Sequence, residues 1–95
     1  MAAPKPCQAV LPACLTALSA LDQRPPDVEV EKGTALLLDR LISCEFFLGQ
    51  YANAEAHTRR LLLIRKRLHG PEHPQVAESL NDLGGLFREQ GRLAE

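Results

Sequence analysis

The chain has no tryptophan, one tyrosine and three phenylalanines, so it offers little of the aromatic platform on which single-stranded bases stack. No apolar run approaches the ~20 residues that a membrane-spanning helix requires. Net charge is −1, so no overall field draws the chain onto nucleic acid or an anionic lipid surface. Cysteines are few and odd in number: Cys7, Cys14 and Cys44, with no C-x-x-C pair. That fits neither a secreted disulfide framework nor a zinc site, and reads as reduced thiols in a cytoplasmic protein. β-Branched residues are sparse too, while leucine and alanine abound, and that balance favours helix over strand.

What remains is material for one small all-α domain. The 95 residues bury only roughly 60–65% of their unfolded surface when folded, so stability is thin. Residues 1–6 hold two prolines and read as a loose start. From Cys7 to Leu21, apolar Val10, Leu11, Cys14, Leu15, Leu18 and Leu21 recur at three- and four-residue steps, the stripe of an amphipathic helix. Lys5 ahead of Ala9–Leu18 faintly imitates a secretory signal, but Pro12 and Cys14 interrupt the stretch, so a mature helix is the better reading. Pro25 and Pro26 end that helix.

A second helix starts near Pro26 or Asp27, with Glu29 and Glu31 at the positive end of its dipole. Gly33 leaves that start soft. Leu37, Leu38, Leu41, Ile42, Cys44 and Leu48 carry the helix to Gly49, a natural stop. A third runs from Gln50 or Tyr51 to His69, closed by Gly70-Pro71. A fourth opens at Pro74 with Val76, Leu80, Leu83, Leu86 and Phe87 on one side, and ends before Gly91. Arg92 to Glu95 look like the start of a fifth.

Glycine-punctuated helices in succession suggest an internal repeat. Laying Gly49 over Gly91 places Gln50-Tyr51-Ala52 over Arg92-Leu93-Ala94, and Leu38 and Leu41 over Leu80 and Leu83. A period in this range means stacked helical hairpins, each too small to bury its own apolar face. Leu80, Leu83, Gly84, Phe87 and Gly91 stand in the spacing of the first helix of a tetratricopeptide repeat. The block from Gly49 to Glu95 resembles more particularly the long repeat of kinesin light chains. It carries Gly49-Gln50-Tyr51, Ala54-Glu55, Leu62, Ile64-Arg65, Leu68, Gly70-Pro71-Glu72-His73-Pro74, Val76-Ala77, Leu80-Asn81-Asp82-Leu83 and Gln90-Gly91.

The resemblance implies a helical-hairpin repeat, a fragment of a right-handed α-solenoid, preceded by an N-terminal helix. Three segments are expected: residues 1–25 with a capping helix, 26–73 as a degenerate first hairpin, and 74–95 as the beginning of a further repeat. Degeneracy is expected because Ile42 stands where a small residue is usual, Glu45 where an aromatic is usual, and Thr58 where the second helix usually has an aromatic. Gly84 is expected to let the following helix approach closely. A repeat stopping within its second helix also suggests a truncated product.

No constellation of residues suggests catalysis, a cofactor or a metal. His57 has no arranged ligands around it, and His69 and His73 flank the Gly70-Pro71 turn, where imidazoles serve as caps. No nucleophile elbow accompanies them. The basic run Arg59, Arg60, Arg65, Lys66, Arg67 and His69 is interrupted by Leu61–Ile64, and reads as a solvated face with cations toward the helix C-terminus. Leu63 falls away from the face carrying Tyr51, Ala54, Leu61 and Leu62.

By resemblance, the working surface is the concave groove lined by the first helix of each unit. Its candidate partner-binding residues are Asp39, Arg40 and Ser43 in the first unit, and Glu78, Asn81, Gly85 and Arg88 in the second. Asn81 offers amide donors and an acceptor to a peptide backbone, and Arg40 and Arg88 offer guanidiniums to acidic side chains. The function expected is a non-enzymatic scaffold that holds a protein or peptide partner, with no nucleic acid and no membrane span. Self-association through the unfinished repeat end is a second mode of contact. A regulatory segment of a larger enzyme, or a truncated product without independent function, are the alternatives.

Overall fold

A computed structural model describes residues 5–25 and 27–91, with the side chains of 5–8 left outside the description. Pro26 as a helix start, burial of the Cys7 thiol and the fifth helix at Arg92–Glu95 therefore lie outside the described residues.

Four helices follow one another: α1 (Lys5–Asp22), α2 (Val28–Phe47), α3 (Tyr51–His69) and α4 (Pro74–Glu89), with no strand among the described residues. Helix α1 starts two residues before the expected Cys7 and runs through Pro12. A single proline removes one backbone donor, and the stripe of buried side chains outweighs that loss. Helix α2 begins at Val28 because Asp27 caps it: its carboxylate accepts the Val30 N–H at 2.8 Å. Gly33 lies inside α2 and does not delay it. The α2 and α3 helices end before glycines of positive φ, Gly49 (78°) and Gly70 (90°), a region that side chains disfavour. Pro74 sits at the first turn of α4, and His73 caps that helix by accepting the Gln75 N–H on Nδ1 at 3.1 Å. The His73 ring stacks on His69, centroids 4.4 Å apart, across the turn.

Each helix packs on the one before it: α1 on α2, α2 on α3, α3 on α4. The result is a slab of 38 × 32 × 18 Å, and its thin dimension matches two layers of helices about 10 Å across. The main core joins the first three helices through Cys14, Leu18, Leu38, Leu41, Ile42, Leu61 and Ile64. Side chains of this kind contribute roughly 1.5–3 kcal/mol each on burial. Leu15 faces solvent in spite of its place in the periodic stripe. A stripe read from spacing spans a wider arc than one neighbouring helix covers.

The α3–α4 seam is more polar. Arg65 on α3 is buried and donates to Ser79 Oγ at 2.9 Å and to the Gln75 carbonyl at 3.3 Å. Gln90 donates to Glu55 at 3.1 Å, and Arg59 lies over the Phe87 ring at 5.5 Å. Val76, Leu83 and Leu86 are buried on α4 as expected, but Leu80 is 52% exposed. Its counterpart Leu38 is fully buried, because α2 has helices packed on it from both sides whereas the extensive packing of α4 among the described residues is on α3. The helix expected to approach Gly84 lies outside the described residues; among them, a Cβ at Gly84 would meet no heavy atom within 4 Å.

Two of the three residues that mark the first hairpin as degenerate, Glu45 and Thr58, have polar solutions. Glu45, nearly inaccessible, pairs through Oε1 with His57 Nδ1 at 2.8 Å. Thr58, also buried, donates to the Ala54 carbonyl at 2.7 Å. Every buried side-chain nitrogen and oxygen among the described residues has a partner, as a protein interior requires.

Candidate functional site

Helices α2 and α4 both pack on α3, and residues of the two face each other across an open space. Between them is a groove of about 460 Å³ lined by Ile42, Ser43, Phe46 and Phe47 from α2 and by Asn81, Asp82, Gly85, Leu86 and Arg88 from α4. The floor is set by Ile42 and Leu86, whose faces are also part of the buried interior. Gly85 keeps the α4 wall low at mid-groove.

Four of the seven candidate partner-binding residues line this groove: Ser43, Asn81, Gly85 and Arg88. Asp39 sits one turn before Ser43 on the same face of α2, and Glu78 one turn before Asp82 on α4, so both extend the groove toward its open end. Arg40 is exposed but does not line it. A step of one residue turns a side chain by about 100° around the helix, which carries Arg40 off the face of Asp39.

Charge is uneven along the groove. Asp39, Glu78 and Asp82 gather at one end. Arg65 reaches Asp39 with N···O 3.6 Å, yet its guanidinium is otherwise engaged by Ser79 and the Gln75 carbonyl. The Asp82 carboxyl titrates above its ordinary range, first because it is partly buried and next because of the Asp39 charge, with Arg65 opposing and Glu78 adding to the rise. Arg88 stands about six residues, or ~9 Å of helix, beyond Asp82.

Three residues of the groove escaped sequence reasoning: Phe46, Phe47 and Asp82. A signal for the aromatics existed. The repeat offset lays Phe46 and Phe47 over Arg88 and Glu89, so two apolar rings occupy positions that are polar in the next unit. Both are solvent-exposed, Phe47 at 63%, and Phe46 leans edge-on against Tyr51 with centroids 5.5 Å apart. Asp82 gave no such signal, since its environment depends on Asp39 across the groove.

The basic run on α3 is not a plain solvated face. Arg65 is buried. Arg60 pairs with Asp22 at the end of α1, and Arg67 with Glu31 on α2 at 2.6 Å. These two arginines, with Arg24, Val30 and the exposed Leu63, line a second hollow of about 370 Å³ on the opposite side. Exposed pairs of this kind contribute little, about 0–1 kcal/mol each, but they give the run partners on two other helices. Among the described residues no group of three or more His, Cys, Asp and Glu is placed to hold a metal ion, and no helix is long and apolar enough to cross a membrane.

Helices packed in succession, with a groove between alternate ones, define an all-α helical-repeat protein. A family model for the tetratricopeptide repeat matches residues 33–95, well over half of the chain, and the chain belongs to that family. No curated protein and no solved structure gives a significant match to it. Tetratricopeptide repeats generally mediate protein–protein contact and are typically not catalytic.

Proposed function

We propose that the chain acts as a scaffold that holds a segment of a partner protein in the groove between α2 and α4. The observation that carries this reading is the groove itself: preformed, with an apolar floor and two exposed phenylalanines beside convergent polar groups. Sites of this form bind by burying apolar anchors while a few polar groups fix orientation. Ser43, Asn81 and Arg88 are the polar contacts, Gly85 leaves room for the ligand backbone, and Asp39, Arg40 and Glu78 flank the groove. The repeat length supports a kinesin-light-chain-like type, and the buried thiols Cys14 and Cys44 suit a reducing, cytoplasmic setting.

Selection of a displayed random-peptide library on the whole chain tests this reading. Gly85→Trp fills the groove, and a Cβ at Gly85 makes only an ordinary 3.8 Å contact with the Arg88 guanidinium, so the fold tolerates the start of that side chain. Selected peptides should lose most of their affinity for Gly85→Trp and part of it for Asn81→Ala, with helical content unchanged. Peptides that bind the tryptophan variant as well as the wild type would remove the groove assignment.

A further inference from the structure

Residues on the two groove walls specify the charge of the segment that fits between them. At one end stand three carboxylates, Asp39 and, one turn apart on α4, Glu78 and Asp82. The nearest cation, Arg65, is buried, pairs with Asp39 at 3.6 Å and also donates to Ser79 and to the Gln75 carbonyl, so one shared guanidinium offsets the three carboxylates only in part. The Asp82 carboxyl is raised first by its partial burial and then by the Asp39 charge, with Arg65 opposing and Glu78 adding to the rise. The middle is apolar: Ile42, Leu86 and Phe46, with Gly85 opening the wall. Arg88 marks the other end and is the one cation among the lining residues.

Resting on the groove reading above, we propose that the occupant is an extended segment of a partner protein with a basic side chain at the Asp39–Asp82 end and an apolar side chain against the exposed ring of Phe46, at the level of the buried Leu86. Spacing follows from geometry. Asp82 and Leu86 are one helical turn apart, about 5–6 Å. Side chains i and i+2 of an extended peptide point to one face and lie about 6.6 Å apart, so the basic and apolar residues are separated by a single residue. Arg88 repels a cation at its own end and thereby sets the direction of the segment. The same carboxylates repel the phosphates of a nucleic acid or a lipid headgroup, which leaves a protein segment as the occupant. Of the two arginines expected to meet acidic side chains, Arg88 lines the groove and Arg40 does not.

Three fluorescein-labelled peptides test the assignment by fluorescence anisotropy with the whole chain. They share one leucine, and two residues away carry lysine, glutamine or glutamate. The lysine peptide should bind about tenfold more tightly than the glutamate peptide, and added salt should shrink the gap because exposed charges are screened beyond about 8–10 Å. In Asp39→Asn/Asp82→Asn the preference should largely vanish while helical content is kept. Equal or tighter binding of the glutamate peptide, a preference that survives the double variant, or no binding by any of the three overturns the proposal. If lysine and glutamate peptides bind equally and Gly85→Trp abolishes both, the charge assignment falls and the groove stands. Binding that Gly85→Trp leaves untouched removes both.

Discussion

The Glu45–His57 pair offers a sharp test because its two members are buried unequally. The Glu45 side chain is 2% exposed and that of His57 22%. Replacing His57 by leucine leaves a carboxylate among α2 and α3 with its 2.8 Å partner gone. Stranding one member of a buried pair costs about 3–5 kcal/mol. Replacing Glu45 by leucine is different, since it adds apolar area to the interior while the imidazole keeps its contact with water. That cost should be about 1 kcal/mol or less, because a well-packed apolar residue in place of a buried ion pair is often neutral or stabilising. The double variant removes the stranded charge and should sit close to Glu45→Leu. The two single costs therefore should not add, and the coupling should match the His57→Leu cost in size, about 3–5 kcal/mol, at or above the upper end for neighbouring residues. A chain of this length holds only about 5–14 kcal/mol in all, so His57→Leu should melt near its limit. Urea titrations followed by far-ultraviolet circular dichroism give all four free energies. Equal costs for the two single variants, or additivity in the double variant, would refute the account of the pair.

Further outcomes follow from single side chains. Gly84→Ala should stabilise by about 0.5–1 kcal/mol, since the position is helical and a Cβ there meets open space. Gly70→Ala should cost about 1–3 kcal/mol, because φ is 90° there; thermal melts that rank the two alike would contradict both. Asp27→Ala should cost about 1 kcal/mol through loss of the α2 cap, checked by the same melts. For Asp82 the sign is set by its raised carboxyl. The folded chain holds that proton more tightly than the unfolded chain, so stability falls as pH rises from 3.8 through the raised value. Asp82→Asn should thus gain a few tenths of a kcal/mol, at most about 0.5 for so exposed a position, at neutral pH and nothing below 3.8. A gain that persists in acid would show the wrong cause.

Helix limits were legible because their causes are local. Gly49, Gly70 and Pro74 act within a turn of themselves, and Asp27 caps the residue three positions on. Exposure of Leu15 and Leu80 was not legible, because periodicity shows a stripe but not whether a neighbour lies over it. Buried charge was hidden for a related reason. Glu45 and Arg65 look like surface residues, and their partners lie on other helices at separations of 12 and 14 residues. The groove was read in part: Ser43, Asn81, Gly85 and Arg88 share its lining, whereas Arg40 stands about 100° around the helix from Asp39 and does not. Phe46 and Phe47 are exposed, and in the sequence only the comparison with Arg88 and Glu89 marks them as surface.

Arg65 connects the stability of the stack to the shape of the groove. It rises from α3 and reaches Asp39 on α2 as well as Ser79 and the Gln75 carbonyl on α4. One guanidinium thus spans both walls, and its planar set of five donors fixes direction as well as distance. Arg65→Met keeps the length and most of the apolar contact of the stem but removes those bonds. Asp39 is largely exposed and recovers water, so the loss comes mainly from the buried Ser79 hydroxyl, about 1–3 kcal/mol. Peptide affinity should fall by more than that loss of stability explains, because at temperatures well below melting nearly every molecule remains folded while the walls lose their common strut. Anisotropy titrations far below the melting temperature separate the two effects. Unchanged affinity in a destabilised Arg65→Met chain would show that the apolar floor alone sets the groove.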